Sequence, residues 1–248
     1  MHNRLVQTVL TEYDEPSWLY RIAGICALLL IAIFILQIVV FIKWPAPQSV
    51  EAQFAVLQRD PLLGLLQLDM LLVIDELLEL PIALAFFFAL RRRHEAVAFS
   101  AMILSFTAIT LMLVARPGLE MLHLSRQLAA AASDAQRAAL LSAGKAVFST
   151  FNGTAFHSSY VIGSIAMLLF ALAMFGEKAF GRVMAWIGIV SSLLGFALYI
   201  PRVGIPLAIL SALGVQVWNM LIARALWGMS REQASAESPH CEHLFTNP

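Results

Sequence analysis

Six long apolar runs constrain the fold of this chain more than any other feature of the sequence. They cover about residues 22–42, 62–90, 96–114, 156–175, 183–200 and 205–226. A helix needs about 20 apolar residues to cross the hydrocarbon core of a bilayer, because each residue adds about 1.5 Å to its length. The sequence therefore predicts an all-α integral membrane protein with six transmembrane helices.

The composition favours a membrane protein and excludes a nucleic-acid-binding one. Hydrophobic residues make up 60% of the 248 residues and charged residues only 13%, whereas soluble domains have about 25% charged residues. Lys and Arg together number 16, as do Asp and Glu, so the net charge is zero. Without a basic excess the chain has little to bind phosphates with. We expect the lipid bilayer to be its main partner.

The predicted domain organisation places one transmembrane domain, residues 18–229, between a polar head (1–17) and a flexible tail (230–248). Two alanine-rich segments, 119–131 and 134–149, separate the third and fourth runs and are too polar to span a bilayer. They predict a helical hairpin at the membrane surface. Ser133 and Gln136 have the spacing of a capping box at the start of the second segment.

The predicted orientation depends on the basic turn Arg91–Arg93, which follows the second run. Short basic loops lie on the cytoplasmic side of a membrane. With this turn inside, both termini are cytoplasmic and the hairpin is extracytoplasmic. We expect the protein in a bacterial inner (plasma) membrane.

The second run contains four acidic residues, Asp69, Asp75, Glu76 and Glu79. At 100° per residue they share about a third of the helix circumference. An Asp at the centre of a transmembrane helix costs at least about 2.5 kcal/mol. We therefore expect this acidic face to point into the helix bundle.

With this orientation, the acidic residues lie at the same outer level as polar residues of other runs. His157 opens the fourth run, whereas Tyr199 and Arg202 close the fifth. This convergence predicts an outward-facing ligand pocket with the hairpin as its lid. Its candidate residues are Asp75, Glu76, Glu79, His157, Tyr199 and Arg202.

Structural interpretations of the same residues stay open. Asp69 fits the membrane interface, and the other acids could form ion pairs with Arg202, Arg116 or Lys43. His157 and Tyr199 could be packing residues, and Gln216 and Asn219 could join helices by hydrogen bonds. The tail motif His240–His243 has metal-ligating residue types but no second ligand set, so no metal is assigned. The sequence specifies no cofactor and contains no hydrolase or phosphate-loop motif.

Short motifs resemble a family of small bacterial six-span inner-membrane proteins to which no activity is assigned. They are YRIAG at residues 20–24, and Ile200-Pro201-Arg202 followed by Gly204. The resemblance covers about residues 18–228. It implies the six-span plan but no site residue.

Three functions stay open on the sequence alone. The favoured hypothesis is a pocket that binds or transports a cation, a proton or a small cationic solute. The second is a membrane-embedded enzyme acting on a lipid or isoprenoid, in which Asp75, Glu76, Glu79 and His157 bind a metal or transfer protons. The third is a structural or assembly partner whose hairpin docks on another membrane protein. A homo-oligomer is compatible with each of them.

Overall fold

A computed structural model describes residues 17–242 of the chain, with side chains to residue 233. Residues 1–16 of the predicted head, and the side chains of the tail motif His240–His243, lie outside the described residues. The described part is helical and contains no strand. Its α-helices are α1 (Ser17–Lys43), α2 (Val50–Arg59), α3 (Pro61–Gln67), α4 (Met70–Val114), α5 (Gly118–Ala129), α6 (Asp134–Ser149), α7 (Thr154–Ala173), α8 (Gly181–Phe196) and α9 (Gly204–Glu242).

Five helical stretches of the described chain are long and apolar enough to cross a membrane. This finding supports an integral membrane protein. Two of the stretches join consecutive helices, and one of these contains the whole of α4. The stretches are Ser17–Lys43, Met70–Ala129, Asp134–Ala173, Gly181–Tyr199 and Gly204–Gln233.

Helix α4 folds back on itself at His94, where the backbone leaves the helical region (φ −131°, ψ 46°). The ring centroids of Phe87 and Phe99 lie 6.1 Å apart. In a straight helix, twelve residues would separate them by about 18 Å. The arms on either side of His94, residues 70–93 and 95–114, therefore run antiparallel.

The start of the second predicted span, at Leu62, is wrong, because the chain breaks between α3 and α4. Asp60 caps α3, and its Oδ1 accepts a hydrogen bond from the Leu63 N–H at 3.0 Å. Asp69 then takes a left-handed conformation (φ 60°), which aspartate tolerates better than most residues. The long apolar helix α4 begins only at Met70. Asp69 is therefore not part of the helical face that carries the other acids.

The bundle is formed by α1, both arms of α4, α7, α8 and the first part of α9. Its largest fully buried side chains include Tyr20, Phe86, Leu90, Met174, Ile222 and Leu226. Small residues let the helices approach closely: a Cβ added to Gly188 of α8 would lie 2.8 Å from the Cβ of Ala171 on α7. Small residues on both helices thus allow α7 and α8 to pack closely at this position. Helix α9 continues past Leu226, where the sixth predicted span ended, to Glu242.

A second layer, which we call the cap, consists of α2, α3, α5 and α6 at one end of the bundle. It has its own small core of buried apolar side chains, Val50, Phe54, Leu57, Leu68, Met121 and Leu128. The cap is therefore a packed unit, not a loose connection.

The first turns of the cap helices explain how they begin. Ser133 caps α6 as predicted, and its Oγ accepts from the Gln136 N–H at 3.3 Å. The Gln136 side chain accepts from the Ala132 N–H at 3.0 Å, one residue earlier than in the standard capping box. Lys145 lies 3.1 Å from Glu51 across the cap. The pKa of Glu51 is lowered mainly by backbone hydrogen bonding at the start of α2, and to a smaller extent by the contact with Lys145.

Candidate functional site

Three of the predicted pocket residues, Asp75, Glu76 and Glu79, line one cavity of about 370 Å³. They project from the first arm of α4, and the cavity is also bounded by α1, the second arm of α4, α7, α8 and α9. The carboxyl groups share one helical face because Glu79 follows Asp75 and Glu76 by about one helical turn, which places all three within about 100° of the circumference. Asp75 and Glu76 are half-buried, and Glu79 is exposed. A cavity of this volume is in the range that accommodates small molecules.

The opposite wall of the cavity is rich in serine. Its serines are Ser105, Ser159, Ser164, Ser191, Ser192 and Ser211. Several donate their hydroxyl hydrogen to a backbone carbonyl: Ser159 to Ala108 at 2.7 Å, and Ser211 to Ser191 at 2.7 Å. Their oxygen lone pairs remain able to accept. The wall therefore offers hydrogen-bond acceptors in addition to the carboxyl groups.

Two side-chain amides of α9, those of Gln216 and Asn219, also line the cavity. Asn219 is 6% exposed, and no hydrogen bond joins its side chain to another described residue. The Oε1 atom of Gln216 is buried and has no hydrogen-bond partner among the described residues. The interhelical hydrogen bonds expected of these two amides are therefore absent from this part of the chain.

An aromatic floor, formed by Phe86, Phe170 and Trp218, closes the end of the cavity away from the cap. The Phe86 ring centroid lies 5.1 Å from that of Phe170 and 5.5 Å from that of Trp218. Beyond the floor, fully buried residues such as Leu90 and Leu226 fill the bundle towards the basic turn Arg91–Arg93. The cavity therefore occupies only the half of the bundle nearest the cap.

Arg116 joins the bundle to the cap beside the cavity. Its side chain is 4% exposed, and Nε lies 3.2 Å from Oδ2 of Asp69. The guanidinium group lies over the rings of Phe151 and Phe156, at 4.5 Å and 5.2 Å from their centroids. Phe156 also lines the cavity. Arg116 thus pairs with the acid that lies outside the helical face, whereas Asp75, Glu76 and Glu79 form no ion pair with a described residue.

The other three predicted pocket residues do not line this cavity. The Tyr199 hydroxyl lies 3.2 Å from Nδ1 of His157. It also donates a hydrogen bond to the backbone carbonyl of His157 at 3.3 Å. His157 and Tyr199 are both exposed. Arg202 is exposed and has a positive φ of 71°. The six residues predicted to converge therefore divide into three acids that line the cavity and three residues that do not.

The sequence analysis missed the serine wall and the aromatic floor. Polar residues inside apolar runs were the available signal for the wall, since Ser159, Ser191 and Ser211 all lie in predicted spans. For the floor no signal existed, because Phe86 and Phe170 look like ordinary residues of an apolar helix.

Metal binding finds no support in the arrangement of the described residues. No group of three or more His, Cys, Asp or Glu side chains in this part of the chain could hold a metal ion. Asp75, Glu76 and Glu79 share a cavity without surrounding one point, and His157 lies outside it. The metal-dependent form of the enzyme hypothesis therefore lacks its ligand set among these residues.

Comparison with known proteins found no matching family model, curated protein or solved structure.

Proposed function

We propose that the protein binds or transports a cation, a proton or a small cationic solute in an acidic cavity inside the membrane. The observation that carries this proposal is that Asp75, Glu76 and Glu79 line one cavity between helices. Acidic side chains in a transmembrane helix are costly and are associated with substrate and ion pathways.

The charge balance of the cavity supports a positively charged ligand. Its lining residues include three carboxylic acids and no Lys, Arg or His. The nearest buried cation, Arg116, is held by Asp69. A positively charged ligand would provide the carboxyl groups with the ion-pair partner that the described side chains do not. The attraction between such opposite charges is strong where water is scarce.

The proposal includes a topology of six crossings, with the two arms of α4 as the second and third. Both termini are then cytoplasmic, and the cap lies on the outer face above the cavity. The support is the fold at His94 and the basic turn Arg91–Arg93. A bacterial inner membrane is the location that we propose.

The double substitution Glu76→Gln/Glu79→Gln tests this function. Glutamine keeps the size of the side chain and removes its negative charge. We expect binding of the cationic ligand, measured by calorimetry on detergent-purified protein, to weaken at least about 30-fold, as when one partner of a buried charge pair is removed. Flux into proteoliposomes should fall in parallel.

The matched control is Glu95→Gln/Glu120→Gln, which removes the same charge from two exposed positions outside the cavity. The control should bind like the unmodified protein. Equal binding by both double variants would refute the proposal.

A further inference from the structure

The cavity contains more than negative charge, and its other features narrow the class of ligand. The aromatic floor and the two amides of α9 lie in the same space as the three carboxyl groups. An inorganic cation requires several oxygen ligands around one point, and the acids of the described chain do not provide such a cluster.

The side-chain amide of Asn219 gives the most direct evidence for a ligand. It is 94% buried, since its exposed fraction is 6%, yet its amide lines the cavity and has no hydrogen-bond partner among the described residues. A buried amide without a partner is unfavourable. A ligand that bonds to this amide recovers that cost.

The floor offers a different kind of contact. The rings of Phe86 and Trp218 lie 5.5 Å apart, centroid to centroid. Aromatic rings provide a large apolar surface and attract organic cations through their π faces. An organic ligand can contact the floor, the carboxyl groups and the amides together, whereas a bare metal ion cannot.

We propose that the ligand is a small organic ammonium ion with a hydroxyl or carbonyl group, whose charged nitrogen contacts the carboxyl groups, whose body contacts the aromatic floor and whose oxygen contacts Asn219. This inference rests on the proposed function, because it requires the cavity to bind a cation. It goes further by specifying what kind of cation the cavity selects.

The test compares phenethylammonium with tyrammonium, which differ by one hydroxyl group, and compares both with sodium, potassium and magnesium ions. Binding to purified protein is measured by calorimetry. We expect both organic cations to bind, tyrammonium about tenfold more tightly, which corresponds to about 1.4 kcal/mol. The Asn219→Leu variant should lose this preference and still bind phenethylammonium. Asn152→Leu, at an exposed site outside the cavity, should keep it.

The outcomes separate this inference from the proposed function. If only inorganic cations or protons bind, and binding requires Glu76 and Glu79, the function stands and the organic ligand is wrong. If the two organic cations bind equally to the unmodified protein, the role of Asn219 is wrong, and this comparison does not depend on a variant that folds. If no cation binds in a manner that requires the carboxyl groups, both proposals fail.

Discussion

At the scale of single residues, the junction between cap and bundle depends on Arg116. Its guanidinium group contacts the carboxyl group of Asp69 and the rings of Phe151 and Phe156. It also donates a hydrogen bond to the Phe151 carbonyl at 3.3 Å. A buried ion pair adds little net stability, but removal of one partner leaves the other charge buried and alone. The contribution of Arg116 should therefore become evident when it is removed by itself.

The Arg116→Leu substitution should lower the free energy of unfolding by about 3–5 kcal/mol, the cost of an unpaired buried charge. The double variant Asp69→Asn/Arg116→Leu should recover part of this loss, because asparagine carries no charge and tolerates the left-handed backbone. Chemical unfolding in detergent measures both. Arg126→Leu, at an exposed position of α5, serves as the control. A double variant less stable than Arg116→Leu would contradict this account.

At the scale of elements, the apolar runs and the basic turn between the second and third of them predicted where α4 folds back, but the backbone break at Asp69 was not visible. Asp75, Glu76 and Glu79 share a face because helical geometry alone places them there. No glycine or proline, the usual sequence signals of a turn, lies next to the break at Asp69. The exposed pair of His157 and Tyr199 was placed in the pocket from its depth, and depth does not specify which way a side chain points.

The cap helices give a prediction at the same scale. A Cβ added to Gly144 of α6 would lie 2.5 Å from the ring of Phe54, which is 1% exposed and cannot easily move. Gly144→Leu should therefore force α6 away from α2, at a cost of about 1–3 kcal/mol. Hydrogen exchange over residues 134–149 should become faster.

Ala143→Leu is the matched control for Gly144→Leu, since Ala143 is the exposed neighbour on the same helix. Hydrogen exchange over residues 134–149 in this variant should match that of the unmodified protein. Equal exchange in the two variants would show that α6 does not depend on the contact with Phe54.

At the scale of the whole molecule, the proposed topology places the fold of α4 and the loop between α7 and α8 on one side of the membrane. Arg93 Nη1 donates a hydrogen bond to the Gly176 carbonyl at 3.1 Å, which holds these two segments together. The cap is at the other end of the bundle. Apolar runs indicate that a chain crosses the bilayer. They do not show which connecting segments contact each other at one end of the bundle, because that depends on hydrogen bonds such as this one.

Cysteine labelling tests this topology in a protein whose Cys26 and Cys241 are changed to alanine. A membrane-impermeant maleimide added to intact spheroplasts should label Ala132→Cys in the cap. Glu95→Cys and Lys178→Cys should react only after permeabilisation. All three positions are exposed. Labelling of Glu95→Cys and Lys178→Cys from opposite sides would exclude the six-crossing arrangement, and a reversed pattern would invert the orientation.

The rings of Phe86, Phe170 and Trp218 close the cavity at the end away from the cap. In the proposed topology, a cavity that opens at the cap end exchanges its contents with the outer compartment only, so its occupancy follows the ligand concentration there. Net passage to the other compartment would require these rings to swing aside while the upper end shuts. A protein that never makes this change would act as a receptor, reporting the concentration of its ligand without moving any of it.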